Sequence, residues 1–517
     1  MSKVLSILRE FMVEEKIDFL LVNSTNKFLV EYNSLAENSR YHLTGFTGST
    51  GDALVSMNEV FLFVDGRYHI QADQEVDHNL ITVVKLQTGQ TFLEEILEKI
   101  PKDATLGIFS QKNSQAIVEK IQAQRKIKLL PVDPMQVCDV EGNPEMVKLS
   151  DSLTGLSVEE KISKLDLKED EALLLTNLED VSYLFNVRDF STPFSSKIRA
   201  KVVVLRDEAH LFEDQEDFEN YITGLDKKIF VDKSTINAYD YSLVKNRSVD
   251  LKSNPVAMMK SIKTDAEIDS YKIAFESTDR AVLAVRDYIL NSDQISEFDI
   301  ALKLEEEFRN NGAKSLSFNS IVAKDKNSAL AHYSKSSKDE IIEDGSLVLI
   351  DCGAYFDGGL ATDITRVFVK GEPTELQKKV YTTVLKAFLK AYNSPINENT
   401  SGFEIDSSVR EFFEVNKIGE FVFNHGLGHG IGISVHEAPP NLGRSEVAKR
   451  PFVENMCFTI EPGLYDKEHF GIRLENSCYL KNGKINSFVR VPYENKLIDY
   501  SMLNEEEKQW LDEFGVI

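Results

Sequence analysis

Cysteine is scarce in this chain. Four residues in 517, Cys138, Cys352, Cys457 and Cys478, have no CxxC spacing. They make neither a disulfide framework nor a thiolate-rich structural zinc site. Three of them lie in or beside apolar runs, where a cysteine serves as a small buried hydrophobe. Basic charge is also short. The 59 Lys plus Arg against 84 Asp plus Glu leave a net charge of −25, which argues against nucleic acid or an anionic membrane as a main partner. No run approaches the ~18 apolar residues of a membrane span. Met1 to Val22 carries Arg9, Glu14, Glu15, Lys16 and Asp18 through the stretch that a signal peptide would keep apolar. A reduced, cytoplasmic setting is therefore expected. Repeats and low-complexity tracts are missing too.

What is present is an ordinary globular composition, 42% hydrophobic and 28% charged, in a chain too long for one core. The first segment, 1–150, alternates β-rich runs (19–22, 52–55, 60–64) with helical patterns at 92–100 and 116–121. Asp139 to Leu153, with Gly142, Asn143 and Pro144, is a polar stretch that reads as a linker. A second unit, 151–253, repeats the flavour of the first, and both read as α/β. The third, 254–517, opens on a capping box, Thr264-Asp265-Ala266-Glu267, followed by apolar residues at helical spacing. Helices are expected again from Ser296, stopping at Gly312, and from Thr374. With apolar strands between and after them, an α+β domain follows.

Those strands carry four acids and a histidine: Asp351, Asp363, His429, Glu461 and Glu475. Two like charges ~4 Å apart repel by roughly 4 kcal/mol at an effective dielectric of about 20. Carboxylates gathered at the ends of apolar strands therefore call for neutralisation, and two divalent cations would supply it. Four carboxylates and one imidazole suit Mn²⁺, with Zn²⁺, Co²⁺ or Fe²⁺ as alternatives. Two bridged metals hold a water between them, lower its pKa and polarise a substrate carbonyl. Glu461 offers a base for the water proton, and His332, His425 and His436 are further donors and proton carriers. Arg473, two residues before Glu475, shares its strand face and can hold a carboxylate in place. Taken singly, the HxxxH of His425 to His429, the Glu461-Pro462-Gly463 turn and the Asp363 strand end are weak signals. Their joint occurrence in one domain carries the reading.

At these residues the chain resembles the pita-bread metallopeptidases, the group of methionine aminopeptidase, prolidase and aminopeptidase P. The likeness is closest to the three-domain form of aminopeptidase P, or Xaa-Pro aminopeptidase. Gly45 to Gly51, Val64-Asp65-Gly66-Arg67-Tyr68, Tyr183 to Arg188, Val491-Pro492-Tyr493, Leu497-Ile498-Asp499 and Trp510-Leu511 extend it over nearly the whole chain. The resemblance implies a C-terminal pita-bread catalytic domain preceded by two α/β creatinase-like domains. It implies that Asp351 and Asp363 hold one metal, that His429 and Glu461 serve the other, and that Asp363 and Glu475 bridge. Glu461 is the implied base for a metal-bridging hydroxide. His332 and His436 match substrate-contacting, proton-shuttling histidines, and His425 matches the one lining the pocket for proline. Mn²⁺ is the implied metal, a homodimer the implied assembly, and the implied substrate a peptide with proline second, cut before that proline.

One departure stands out. Asp351 and Asp363 are one residue further apart than the family's usual spacing, and Gly358-Gly359 are expected to absorb the extra residue in a bulge or hairpin tip. The rivals are a prolidase confined to Xaa-Pro dipeptides, a methionine aminopeptidase, an inactive protein-binding relative, and a metal-free creatinase-like enzyme. Chain length and the tail motif favour the aminopeptidase over the prolidase, and the intact ligand set disfavours the last two.

Overall fold

The computed structural model describes residues 2–87, 90–135, 142–333 and 335–517. Cys138 and the first residues of the expected linker lie outside them. The chain divides into two compact units. The first comprises Met1–Val147, Ser157–Thr192 and Lys197–Val256, and the second Lys148–Leu156, Pro193–Ser196 and Ala257–Ile517.

The first unit holds two sheets. Strands β1 (Phe19–Val22), β2 (Asp52–Ser56), β3 (Val60–Val64), β4 (Thr82–Lys85), β5 (Thr105–Phe109) and β6 (Lys126–Leu130) form the order β4-β3-β2-β1-β5-β6. The β1–β2 and β2–β3 pairs are antiparallel and the others parallel. Both faces are covered. Leu20, Val22, Val55 and Leu62 pack in one apolar cluster, while Leu21, Leu54, Phe61 and Phe63 pack in another. That is why these strands read as unbroken apolar runs. The second sheet is β7 (Glu171–Leu175), β8 (Lys201–Val204), β9 (Ala209–Phe212), β10 (Lys228–Val231) and β11 (Ser248–Asp250), in the order β9-β8-β7-β10-β11. The expected linker is structured where it is described. Met146–Lys148 is a short strand paired with Val187–Asp189, and Asp151–Thr154 is a helical turn.

The second unit opens as its capping box dictates. Thr264 accepts from the Glu267 amide, and Glu267 accepts from the Thr264 amide, at the head of α1 (Asp265–Asn291). The same device starts α2 (Glu297–Asn310) at Ser296 and α3 (Glu375–Tyr392) at Thr374. Beside them lies an antiparallel sheet of β12 (Ile321–Lys324), β13 (Leu347–Cys352), β14 (Ile364–Val369), β15 (Cys457–Ile460), β16 (Glu475–Lys481) and β17 (Lys484–Ser487). Its order is β12-β13-β14-β16-β15, with β17 on β16. Leu349, Val367, Phe458 and Cys478 on the sheet share a core with Val380, Val384 and Phe388 of α3. The C-terminal Tyr493, Leu497, Leu511 and Phe514 join the same core. Burying each such large side chain contributes roughly 1.5–3 kcal/mol, so the tail is part of this unit's core. Cys352, Cys457 and Cys478 are buried free thiols, and burial pushes Cys457 up to about 12.

The extra residue between Asp351 and Asp363 sits in the hairpin tip. The β13–β14 register, Cys352 opposite Ile364, continues unbroken to the Tyr355–Ala361 bridge. The turn beyond is closed by the Gly359 amide donating to Phe356 O at 2.8 Å, with Gly359 at φ +62°. Gly353 permits the close approach of the two strands, because a Cβ there would lie 1.8 Å from Thr362 O. No bulge displaces either aspartate from its face. Among the described residues no helix is long and apolar enough to cross a membrane.

Candidate metal centre

Strand register aligns the acids. Asp351 lies opposite Thr365, and Thr365 opposite Glu475. Directly opposed residues share a face of a sheet, so Asp351 and Glu475 flank Thr365 across three strands. Asp363, two residues before Thr365, belongs to that face by the strand's period of two. Ile460 pairs with Asn476, which brings Glu461, the residue after β15, level with Glu475. Cys352 pairs with Ile364 in the alternate row and faces away.

His429 reaches the acids from a short strand, Gly428–His429, paired with Asn441–Leu442. Gly428 lies so close to β15 that a Cβ would meet Thr459 O at 2.0 Å. The His429 amide donates to Thr459 Oγ1 at 3.2 Å. Its Nδ1 lies 3.1 Å from Gly430 O. A carbonyl only accepts, so Nδ1 carries a proton and Nε2 is the nitrogen turned to the acids. Nε2 is 3.5 Å from Asp363 Oδ2 and 3.7 Å from Glu461 Oε1. Donor atoms of Asp363, His429 and Glu475 all lie within 4.8 Å of one another.

One oxygen each of Asp351 and Glu475 is held by the protein. Arg473 Nη2 donates to Asp351 Oδ2 at 2.5 Å, and Arg473 Nε to Thr365 Oγ1 at 3.1 Å. Thr365 Oγ1 in turn donates to Glu475 Oε2 at 2.7 Å. Asp351 Oδ1, Asp363 Oδ1 and Glu475 Oε1 are buried with no hydrogen-bond partner. Three orphaned carboxylate oxygens in one cluster would be strongly destabilising unless cations filled the space between them. Hard oxygen donors with one imidazole fit divalent ions of the Mn²⁺ kind. Two such ions would balance the charge of the four acids.

Electrostatics agree with that fit. Burial, then the charges of Asp351 and Glu461, pushes the Asp363 carboxyl well above its ordinary range. Burial, then Asp363 and Glu461, does the same to Glu475. Burial also raises Glu461, opposed by His429 and Arg473. Acids raised in the folded state destabilise the metal-free protein as pH climbs through the ordinary carboxylate value of ~4 to their raised values. Below ~4 that destabilisation is absent. The metal-free site is thus expected to keep protons to higher pH than free carboxylates do and to release them when Mn²⁺ binds. Calorimetric titration in buffers of different ionisation enthalpy checks this. The observed heat should vary with the buffer in the sense of proton release, and a buffer-independent heat would contradict it.

The accessory residues come to the same unit. The His436 ring lies 4.4 Å from that of His429, edge to face. His425 Nδ1 is 2.8 Å from Gly426 O and therefore protonated, so in the neutral ring Nε2 accepts the Tyr465 hydroxyl proton at 2.8 Å. Tyr465 in turn accepts from Arg473 Nη1 at 2.9 Å. Phe423 packs edge-on against His425 at 4.9 Å. His332 is half-buried in the turn that follows the 3₁₀ segment Asp325–Ala329. Sequence reasoning missed Tyr465 and Thr365. Tyr465 is placed by the hairpin of Gly463–Tyr465 with Gly471–Arg473, and the only sequence signal for Thr365 was its parity with Asp363.

Residues 269–482 match the model of metallopeptidase family M24, and residues 5–137 that of the creatinase/prolidase N-terminal domain. The chain is 29% identical over 567 aligned residues to an uncharacterized peptidase of Schizosaccharomyces pombe, covering 99% of this chain and 94% of that protein. It is 28% identical to a probable Xaa-Pro aminopeptidase P of Botryotinia fuckeliana, covering 98% and 88% of the two chains. A similar protein from Paracoccidioides brasiliensis is also 28% identical, with 99% and 94% covered. Among solved structures, the X-prolyl aminopeptidase of Caenorhabditis elegans, described as a cytosolic enzyme with a di-nuclear active site, superposes with a TM-score of 0.90. It is 22% identical, over 99% of this chain and 94% of that one, and it bears on the fold.

Proposed function

We propose, for a chain whose residues 269–482 belong to metallopeptidase family M24 and whose residues 5–137 form a creatinase/prolidase N-terminal domain, that it is a dinuclear metallo-aminopeptidase. It removes the first residue from peptides with proline in second position. The observation that carries this reading is the set of orphaned oxygens on Asp351, Asp363 and Glu475, two of whose acids, Asp363 and Glu475, offer donor atoms within 4.8 Å of one from His429. Asp351, Asp363, His429, Glu461 and Glu475 would hold the two metals, Asp351 and Asp363 serving one and His429 and Glu461 the other. The pair is Mn²⁺ in this reading, with Zn²⁺ or Co²⁺ as alternatives. When bound, the metals supply an acidified water and a polarised scissile carbonyl.

The side chains do the rest. Glu461 accepts the water proton and returns it toward the leaving amine. Arg473 fixes Asp351 in the orientation a ligand needs. His332 and His436 contact the substrate backbone and carry protons. His425, held by Tyr465, lines the proline side. Proline has no N–H, so proteases that grip that group fail on it. A site that recognises the ring by shape, against Phe423 and His425, avoids the need. Domain boundaries near 150 and 253, a homodimer and a cytoplasmic location complete the proposal, and they rest on the resemblance and on the relatives.

Cleavage assays with Mn²⁺-loaded protein test it. Release of the first residue from Xaa-Pro-Pro is expected, with Xaa-Ala-Pro cut at least about 10²-fold more slowly, the scale on which an ill-fitting group misplaces a scissile bond. Hydrolysis confined to the Xaa-Pro dipeptide would make the protein a prolidase, and no hydrolysis of any of these would leave a binding role.

A further inference from the structure

Glu297 is a carboxylate with no solvent exposure, at the first position of α2. It is far in sequence from every candidate ligand. Four donors converge on it. The Lys324 amide (2.6 Å) and Asn327 Nδ2 (3.0 Å) donate to Oε1, and the Tyr333 hydroxyl (2.7 Å) and the Ser337 amide (2.9 Å) donate to Oε2. All four come from 324–337, the segment that carries His332 in its middle. Asn327 Nδ2 also reaches Tyr333 Oη at 3.2 Å, so the donors brace one another.

The segment is tied to the metal-bearing strands at its start. Ile321, at the head of β12, pairs with Asp351. Asp325 accepts from the Leu347 amide at 2.8 Å, and Ser328 exchanges hydrogen bonds with the backbone of Gly471, two residues before Arg473. Beyond Ser328 the chain leaves the sheet. Ser336 Oγ returns it to Val322 O at 3.4 Å, and the bonds from the Tyr333 hydroxyl and the Ser337 amide end on Glu297. The Glu297 and Phe298 amides complete the seam by donating to Glu340 O and Ser337 O.

We propose that Glu297 is a positioning residue for the reaction: its carboxylate gathers the ends of the 324–337 loop and thereby sets where His332 stands relative to the substrate. This rests on the role given to His332 under the proposed function. The chemistry selects a carboxylate. Two separate oxygens, each accepting two protons, satisfy a backbone N–H on either side. An amide in the same place turns its NH₂ toward the Lys324 amide or the Ser337 amide, whichever way it is set, and so must break one end of the loop. The head of α2 adds its dipole, which favours a negative charge there.

A double-mutant cycle tests this on the Mn²⁺-loaded protein, reading kcat and KM on Xaa-Pro-Pro, melting temperature and bound metal. Glu297→Gln is expected to lower kcat about 10-fold to 100-fold, the scale of a misplaced catalytic group, with metal content unchanged. His332→Ala should lose at least as much. The combined variant should be no slower than His332→Ala within about twofold, because a residue acting through another adds nothing once that other is gone. Multiplying losses would overturn the proposal, since a merely structural role damages the site with or without His332. Full activity of Glu297→Gln would overturn it as well. If Glu297→Gln does not fold, Tyr333→Phe, which removes one donor and keeps the ring, enters the same cycle with a smaller loss and the same two readings. Wild-type turnover in His332→Ala would sink this proposal while leaving the metal-dependent activity standing. Absence of metal-dependent activity in the parent protein would instead sink the function beneath it.

Discussion

Glu461→Gln protein is expected to fold normally and to turn over at least about 10³-fold more slowly than the parent. General-base assistance alone is worth about 10²–10⁴-fold, and this substitution also weakens a metal ligand. Glu461 is suited to both tasks by its position just beyond β15, level with Glu475 and half-buried at the rim of the acid cluster. Burial raises its carboxyl, and His429 and Arg473 keep it from rising further. The outcome is an acid that takes up a proton more readily than a free carboxylate does. Glutamine keeps the shape and loses the basicity, so the fold should persist. The check is kcat on Xaa-Pro-Pro beside the thermal midpoint of each protein. A midpoint within a few degrees and a collapsed kcat are expected. A kcat near that of the parent would remove Glu461 from the chemistry.

Exhaustive chelation is expected to abolish activity, and added Mn²⁺ to restore it. Without cations, the bare oxygens of Asp351, Asp363 and Glu475 are buried with nothing to neutralise them. Protons then take the cations' place in part, as the raised Asp363 and Glu475 carboxyls indicate. A site full of protons neither polarises a carbonyl nor holds a water to attack it. Metal binding also stabilises the folded chain, by about 2.7 kcal/mol for each site at a hundredfold excess over its dissociation constant. The melting temperature should therefore fall by several degrees on chelation and recover with activity. Restoration should weaken as pH falls, because protons compete for the same oxygens. Activity that survives while the melting temperature drops would separate stability from chemistry and contradict the assignment.

Much of this site was legible in the chain. The candidate ligands were named from the chain, but Arg473 and Glu475, expected on one strand, lie on two: Gly471–Arg473 pairs with Gly463–Tyr465, while Glu475 opens β16 beside β14, and Arg473 reaches Asp351 from that neighbouring hairpin. The helices that begin at Thr264, Ser296 and Thr374 announce themselves by capping boxes, because the orphan amides of a helix start need side-chain acceptors. The helix Gly402–Val415 went unread despite the same Ser401 and Glu404 box. Its first residue is a glycine, a poor helix former, present because a Cβ would meet Asn441 O at 2.1 Å. That constraint is tertiary and leaves no local trace.

What a linear pattern does not hold is which strands neighbour which. The order β13-β14-β16-β15 brings Glu475 beside Thr365, although 110 residues separate them in sequence. Tyr465 was invisible for a related reason. Its function-bearing contacts, Arg473 on one side and His425 on the other, arise from a hairpin and a distant loop. Glu297 looked like one more acid in the first turn of a helix, and only its four buried donors distinguish it.

The central claim is that the five candidate ligands hold a pair of cations on which turnover depends. Elemental analysis of the purified protein, run beside its cleavage of Xaa-Pro-Pro before and after chelation, tests it most directly. The account predicts about two divalent ions per chain in the active protein, as expected for a dinuclear site, and loss of turnover in step with their removal. Undiminished turnover by protein in which no metal is detected would contradict it.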